Sequence, residues 1–504
     1  MSASDTLRKV RQVRRQRSAG NTDGTAFYTG YLAIMLTLIM VVPILRLIVI
    51  ELALPGTLAI LQASEATTTL SLAIGLLLSA AVLIGRVRGP ALLSPFLTAA
   101  VAGNDLPRRR TLWRPFRSSA SILTALLTSA AAILAAVLAT AGNASVTSAM
   151  VFVAASLLIG VLAGVARLTG QRLSSHRANF LATVLAVLAI TFSMIPDGML
   201  VTPWGWAAII YPSSATAAWP ALVALVATVA IALAAVPRLL DSLNGPDLLV
   251  QARRWQTVGV FCETGDFTGA LTELRALPKI GRAWGAVRQA PIAVLFFVRD
   301  LIDSLRTPAR FISAAAALIG AGFLLAISFM MPNEMAWVPT IAGAILGYLA
   351  LGVWSDGFRH AVEVTAGTSI YGFGGSKYFL LHAALPAVCV LVFAGIGAAA
   401  AAEVGTASFG GVAAIGFLWF TMTTRLFNAA KGQMPLALLL PAPTPFGDLS
   451  AALIAYWQAD ALIINCATVT AIRLAMESTP LWLAAVLPAA TLAIHATRRK
   501  LARI

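Results

Sequence analysis

Charge is what this sequence has least of. Asp, Glu, Lys and Arg make up 11% of its 504 residues, against 59% hydrophobic residues and a mean hydropathy of +0.86. A soluble domain carries about 25% charged residues, so a water-exposed globular surface is excluded. Short alternating strands, the mark of a membrane barrel, are missing too, and the Ala-, Leu- and Val-rich composition points to helices packed in lipid. Cysteine is almost absent. Cys262, Cys389 and Cys466 stand apart without CxxC spacing, which excludes a disulfide framework and a zinc or iron–sulfur site and leaves them as small packing residues.

Catalytic motifs are missing as well. The nearest glycine-rich run, Gly372 to Lys377, lacks the GK[ST] order and the preceding strand of a nucleotide-binding loop, and reads as a turn ahead of a span. Four histidines, His176, His360, His382 and His495, show no metal spacing. His176 and His360 read as loop residues, His382 and His495 as residues near span ends. No DxD pair is present to hold a metal-bound nucleotide sugar, and the outward acidic residues are sparse and isolated. The expectation is a protein that is not an enzyme and binds no metal.

What is present is a series of apolar runs. A hydrocarbon core about 30 Å thick takes roughly 20 apolar residues in a helix. Windows of that size place spans at 27–50, 68–85, 119–141, 146–166, 179–195, 216–236, 311–331, 336–354, 378–401, 407–424, 451–474 and 480–496. The tight connection at 142–147 and the short fifth run leave ten or eleven spans as alternatives. With the N-terminus inside, twelve spans put 34 of the 36 Lys and Arg residues on the cytoplasmic side. The other two, Arg46 and Arg473, sit near outer span ends, from which they are expected to snorkel. The outer loops carry only Glu51, Glu65, Asp197, Glu334, Glu403 and Glu477. Such asymmetry sets topology, so both termini are expected in the cytoplasm. It also accounts for the net charge of +16: the basic residues lie where anionic headgroups lie, which argues against nucleic acid as a partner. About 26 polar, basic residues precede a full-length first span with no cleavage pattern, so that span is expected to be retained.

The expected organisation is a basic segment at 1–26, a six-span half at 27–236, a cytoplasmic linker at 237–310, a second six-span half at 311–496 and a basic tail at 497–504. In the linker, Phe267, Leu271 and Leu274 recur with helical spacing, and RDLIDSLRTPAR at 299–310 puts Leu301, Ile302 and Leu305 on one face, with Arg299, Asp300, Asp303 and Arg306 elsewhere. This is the pattern of an interfacial helix, ended by Pro308. The loop 86–118 holds Arg108, Arg109, Arg110, Trp113, Arg114 and Arg117, with room for a short interfacial or cytosolic helix. Gly160-xxx-Gly164 and Gly343-xxx-Gly347 predict close helix contacts.

One ionisable residue lies deep in a predicted span: Asp460, in AYWQADALIIN, flanked by Trp457, Gln458 and Asn465. An intramembrane carboxylate is a functional candidate by default, here for substrate contact or a proton-linked switch. A carboxylate bonded to a neighbouring helix, paired with an arginine, is the alternative. Ion-coupled carriers usually need several carboxylates or broken helices at the midplane, and a dozen spans here offer one. A permease driven by a separate ATPase has no such need.

The layout resembles the membrane subunits of type-two-class ATP-binding-cassette exporters, on three features. RDLIDSLRTPAR looks like the elbow helix of a second half, 86–118 like the coupling loop between spans two and three, and PDGMLVTPWGWAAIIYPSSA at 196–215 like the outer re-entrant hairpin between spans five and six. The outer loop near Glu477 to Pro480 is too short for a second hairpin, and 425–450, with LLLPAPTPFGDL, has no counterpart. The resemblance implies a plasma (inner) membrane, multi-pass permease that binds no cofactor itself, its ATP being held by separate ATPase subunits. These would push on Arg108 to Arg117 and on 355–377, where Arg359 and Glu363 stand. Asp460, Trp457, Gln458 and Asn465 are then candidates for the substrate pathway. The rivals are an ion-coupled secondary transporter using Asp460 and a lipid-handling membrane enzyme with an outward site.

Overall fold

In lipid every backbone polar group has to be satisfied within the chain, which leaves an apolar sequence of this kind little choice but helices. The computed structural model describes residues 30–31, 34–35, 37–102, 107–195, 197–212, 219–263, 267–275, 280–281, 284–285, 289–331, 333–365, 375–403, 405, 408–431, 434–440, 442–444 and 447–476. Among them the chain is helical apart from turns, connecting segments and one two-residue antiparallel ladder. Two units form, one ending at Phe261 and one beginning at Cys262.

The first unit runs α1 (Val42–Leu52, entered through a π turn at Thr37–Val41), α2 (Pro55–Gln62), α3 (Glu65–Val87), α4 (Pro95–Ala102), α5 (Arg108–Thr140), α6 (Val146–Arg172), α7 (Ser175–Met194), α8 (Pro203–Ile209), α9 (Trp219–Asp241) and α10 (Gly245–Glu263). Starts are written locally. Proline opens α2 and α8, where its missing N–H costs nothing, and Ser145 caps α6 by accepting from the Ser148 N–H at 3.0 Å. Helix α6 is the centre of the unit, packed on α3, α5 and α9. Gly160 and Gly164 of α6 face Thr124 and Ala120 of α5, as the small-residue spacing predicts. Gly85 and Gly170 let α3 and α6 touch backbone to backbone, against the Arg167 and Val82 carbonyls. The apolar core is built on Leu138, Phe152, Ile159, Tyr211 and Leu225 at one end and Leu112, Phe116, Leu168, Leu240 and Leu248 at the other.

Two sequence expectations for this unit are refined. Residues 108–117 are not part of a loop. They are the first turns of α5, a 33-residue helix of roughly 50 Å, longer than a hydrocarbon core, so its arginine-rich start extends past the apolar stretch. The segment expected at 196–215 to dip inward is a 3-10 turn at Gly198–Leu200 followed by the short α8, whose Trp204, Ala207 and Ala208 are buried against α3 and α9.

The second unit runs α11 (Phe267–Glu273), α12 (Ile292–Leu305), α13 (Pro308–Ile327), α14 (Asn333–Leu351), α15 (Asp356–Thr365), α16 (Gly375–Cys389), a π turn at Val390–Ala394, α17 (Gly395–Glu403), α18 (Ser408–Ala430), β1 (Pro443–Thr444), β2 (Gly447–Asp448) and α19 (Ser450–Ala475). Its core gathers around α13, where Leu318 and Leu325 meet Val390, Phe417 and Leu418. Gly343 and Gly347 of α14 lie against Leu325 and Leu418. The break expected at Pro308 is there: α12 ends at Leu305 and Pro308 opens α13.

Eight helices among the described residues are long and apolar enough to cross a membrane, and a ninth if α14 and α15, bent by 59°, count as one broken span. The chain is a multi-pass membrane protein. Of the twelve spans read from sequence, 480–496 lies outside the described residues. The run at 27–50 is described from 30 on, in part, and forms the π turn and α1. The run at 407–424 is α18, 23 residues long, whose three glycines, three threonines and Arg425 make it less apolar than the eight. Arg473 corrects an expectation. It does not snorkel outward but is 2% exposed, its guanidinium donating to the Ser328 carbonyl at 2.5 Å and standing 4.4 Å from the Phe329 ring. A cation at the C-terminal end of α13 answers the open carbonyls there.

Candidate functional site

Three polar constellations stand out, each inside one unit. The first is built on Asp460. A lone carboxylate in apolar surroundings shifts to its neutral form or finds a cation. The cation is Lys431, the residue after α18, whose side chain is 3% exposed and pairs with the Asp460 carboxylate. Its ammonium also donates to the Trp457 carbonyl at 2.6 Å and lies 5.0 Å from the Trp457 ring. The partner is thus a lysine where the sequence alternative had an arginine. Asn465, five residues further along α19, is fully buried, donating to the Ala344 carbonyl at 3.2 Å and accepting from Thr424 at 3.4 Å. It ties α14, α18 and α19 together. Gln458 is half-buried on the same helix. The four candidates share α19, but Asn465 joins helices whereas Trp457 and Asp460 enclose the lysine.

The second constellation surrounds α15. Asp356, its first residue, accepts from Arg275 at 2.8 Å and from Arg310 at 3.0 Å. A negative charge there also suits the N-terminal end of a helix. Arg310, in the first turn of α13, donates in addition to the Gly352 carbonyl at 3.1 Å. Arg425 of α18 donates to the Tyr348 carbonyl at 2.7 Å and stacks 3.8 Å over the Tyr348 ring. A side chain at Gly352 would meet its guanidinium. The bend between α14 and α15 is therefore fixed from α13 and α18.

The other side of α15 rests on α16, Phe358 and Ala361 packing with Tyr378, Phe379 and Phe296. There Asp300 of α12 and His382 of α16 bond at 2.6 Å, His382 being 1% exposed. The His382 Nε2 is buried with no hydrogen-bond partner among the described residues. His360 meets the His382 ring edge-on at 5.9 Å and lies 3.3 Å from Arg299. Burial first, then the Arg299 charge, holds His360 below the ordinary imidazole value. Arg359 is half-buried and Glu363 exposed on this helix.

Sequence reading missed this constellation for a physical reason. It put Leu301, Ile302 and Leu305 on the apolar face of an interfacial helix and Asp300 elsewhere. In the fold Phe296, Asp300 and Ser304, spaced four apart, form the face turned to α16, and Phe296 and Ser304 are buried. The Phe–Asp–Ser spacing was the available signal, and a carboxylate in the middle of it hid the stripe.

The third constellation is the basic end of the first unit. Here the C-terminal ends of α3, α6 and α9 meet the starts of α5 and α7. Arg86 donates to Ser175 at 3.2 Å, and Asp241 accepts the Arg109 backbone N–H at 2.8 Å, capping α5 from another helix. The segment after α3 is clamped: Gln171 exchanges hydrogen bonds with both backbone groups of Ala91, at 3.1 and 3.3 Å, and holds Gln251 at 3.0 Å. From α10, Gln251 and Trp255 donate to the last carbonyls of α3, at 3.1, 3.2 and 2.9 Å. Arg109, Arg110, Trp113 and Arg114 are exposed on the first turns of α5, and Arg108 is half-buried. Known proteins add no name to this arrangement: no family model, no curated protein and no solved structure matches the chain.

Proposed function

We propose that the chain is the permease subunit of an ATP-driven exporter, with twelve spans, both termini in the cytoplasm and its energy supplied by separate ATPase subunits in the plasma membrane. The observation that carries this reading is the fixation of α15. A short amphipathic helix at the end of a span, tied at Asp356 to the start of α13 and through Gly352 to the same arginine, is a lever. A push on its exposed face, at Arg359 and Glu363, would be delivered to α13 and α14 together. The clamped basic end of the first unit, with α5 extending from it, is the matching contact on the other half. Transport would then follow from the two nucleotide states of the partner favouring two arrangements of the spans. The engagement of Asp460 by Lys431 fits a permease that does not carry protons on this residue.

A second reading keeps ion coupling, with a different residue pair. Asp300 and His382, buried together with one imidazole nitrogen unbonded, have the chemistry to hold and release a proton. The two readings part on one experiment, purification of the tagged chain in mild detergent with identification of what comes with it. A co-purifying ATPase supports the permease. A chain that purifies alone, and whose transport is lost in Asp300→Asn, supports the carrier.

A further inference from the structure

The basic end of the first unit contains a cleft of about 540 Å³ between the segment following α3, the Pro115–Ile122 stretch of α5 and the Ala252–Gln256 stretch of α10. We propose that it is a binding site for a phosphoryl group, and that its ligand is the headgroup of an anionic glycerophospholipid.

The charge in the cleft is unbalanced. Arg88 lines it, its guanidinium 4.7 Å over the Trp255 ring. Behind it, Arg167 of α6 donates to the Ser119 hydroxyl at 3.3 Å and to the Arg88 carbonyl at 3.2 Å, while its buried Nε has no hydrogen-bond partner among the described residues. Among the described residues, no Asp or Glu lines the cleft and neither arginine is in an ion pair. Two cations brought together in a half-closed site without an acid are stabilised by an anion from outside. The guanidinium fork matches phosphate oxygens, and Ser118 and Ser119 line the same cleft.

The site is also built in advance. Gln171 fixes Ala91, and Gly89 lies so close to the Gln171 side chain that a Cβ there would displace it. The Trp255 ring is held by its bond to the Val87 carbonyl. Little ordering is left for binding to accomplish, which favours affinity. A lipid is favoured over a free anion by the rest of the wall. Leu92, Leu93 and the exposed Ile122 give the glycerol and first acyl carbons an apolar surface, and the cleft lies where the last turn of α3 leaves its apolar stretch, at headgroup depth.

The test uses the full-length chain in detergent, stripped of lipid, titrated with phosphatidylglycerol, with phosphatidylcholine or with inorganic phosphate, and followed by native mass spectrometry and thermal unfolding. Phosphatidylglycerol is expected to bind and raise the unfolding temperature, phosphatidylcholine to do so weakly, and Arg88→Gln to weaken the anionic lipid about tenfold, the worth of a charge-assisted hydrogen bond. Arg88 is exposed, so this variant is expected to fold, and Arg88→Lys should recover part of the loss. Arg177→Gln, the same charge change at the exposed start of α7, should leave binding unchanged. Protection by inorganic phosphate with the same dependence on Arg88 would keep the phosphoryl site and assign it a free anion. Equal losses in Arg88→Gln and Arg177→Gln would mean diffuse attraction to a basic surface and would overturn the proposal.

Discussion

Lys431 and Asp460 pair in apolar surroundings. Removing one partner of such a pair leaves an uncompensated charge, at a cost of about 3–5 kcal/mol, whereas replacing both by apolar residues is often neutral. Asp460→Ala and Lys431→Met should therefore each lower the unfolding temperature in detergent by several degrees, and the double replacement Lys431→Met with Asp460→Leu should recover most of it. A stable Asp460→Ala would contradict the pairing. Asn465→Ala removes the second hydrogen bond to the Ala344 carbonyl and the one from Thr424, and should cost about 1 kcal/mol in the same assay. Asp460 was legible in sequence as the one deep carboxylate, because ionisable residues are conspicuous in an apolar run. Its partner was not, since Lys431 is 29 residues away, just past the end of another helix, and reads by itself as a cytoplasmic anchor. Arg473 failed in the opposite sense: position near a span end predicts snorkelling, and only the packing of the Ser328–Met330 turn above it brings it inside.

Helix α15 is held by charge at one end and by aromatic packing along its length, which makes its attachment sensitive to protonation. His360 sits below the ordinary imidazole value, so its neutral form favours the folded arrangement. The contribution is complete above about pH 6.5, the usual imidazole value, and is lost as pH falls towards the lowered one, when a second cation would face Arg299. Glu363, Asp300 and His382 are the other titratable groups near it. Amide exchange in α15 should accelerate as pH is lowered through this range, after correction for intrinsic rates. His360→Gln should remove that dependence, and an unchanged pH response in the variant would refute the assignment. At this scale the sequence was informative where apolar periodicity runs on undisturbed, as in α6, α9 and α13. It was poor where a helix changes role along its length: α5 combines an arginine-rich start and an apolar run without a break, because Pro115, in its third turn, leaves the helix continuous.

At the scale of the whole molecule, sidedness is the property on which the transport reading rests, and the chain carries a natural probe. Cys262, in the last turn of α10, is exposed, Cys389 is buried and Cys466 half-buried. A membrane-impermeant maleimide should therefore modify Cys262 in inside-out vesicles and leave it unmodified in intact cells. Labelling of Cys262 from outside would reverse the proposed orientation. The two helical units divide at Phe261 and Cys262, inside the polar stretch in the middle of the sequence. Within that stretch α10 folds with the first unit, Leu248 entering its core and Gln251 and Trp255 bonding to the end of α3, contacts that the polar sequence of 245–263 does not announce.

The central claim, that energy reaches this chain from a separate ATPase through α15 and the start of α5, is tested most directly by nucleotide hydrolysis in liposomes. The tagged chain with its co-purified partner would be compared with the partner alone and with a complex carrying Arg359→Glu and Glu363→Arg, changes confined to the half-buried and exposed surface of α15. ATP turnover is expected to depend on the chain and to fall several-fold in the variant while the complex stays folded. A chain that brings no ATPase with it, or turnover indifferent to both the chain and α15, would contradict it.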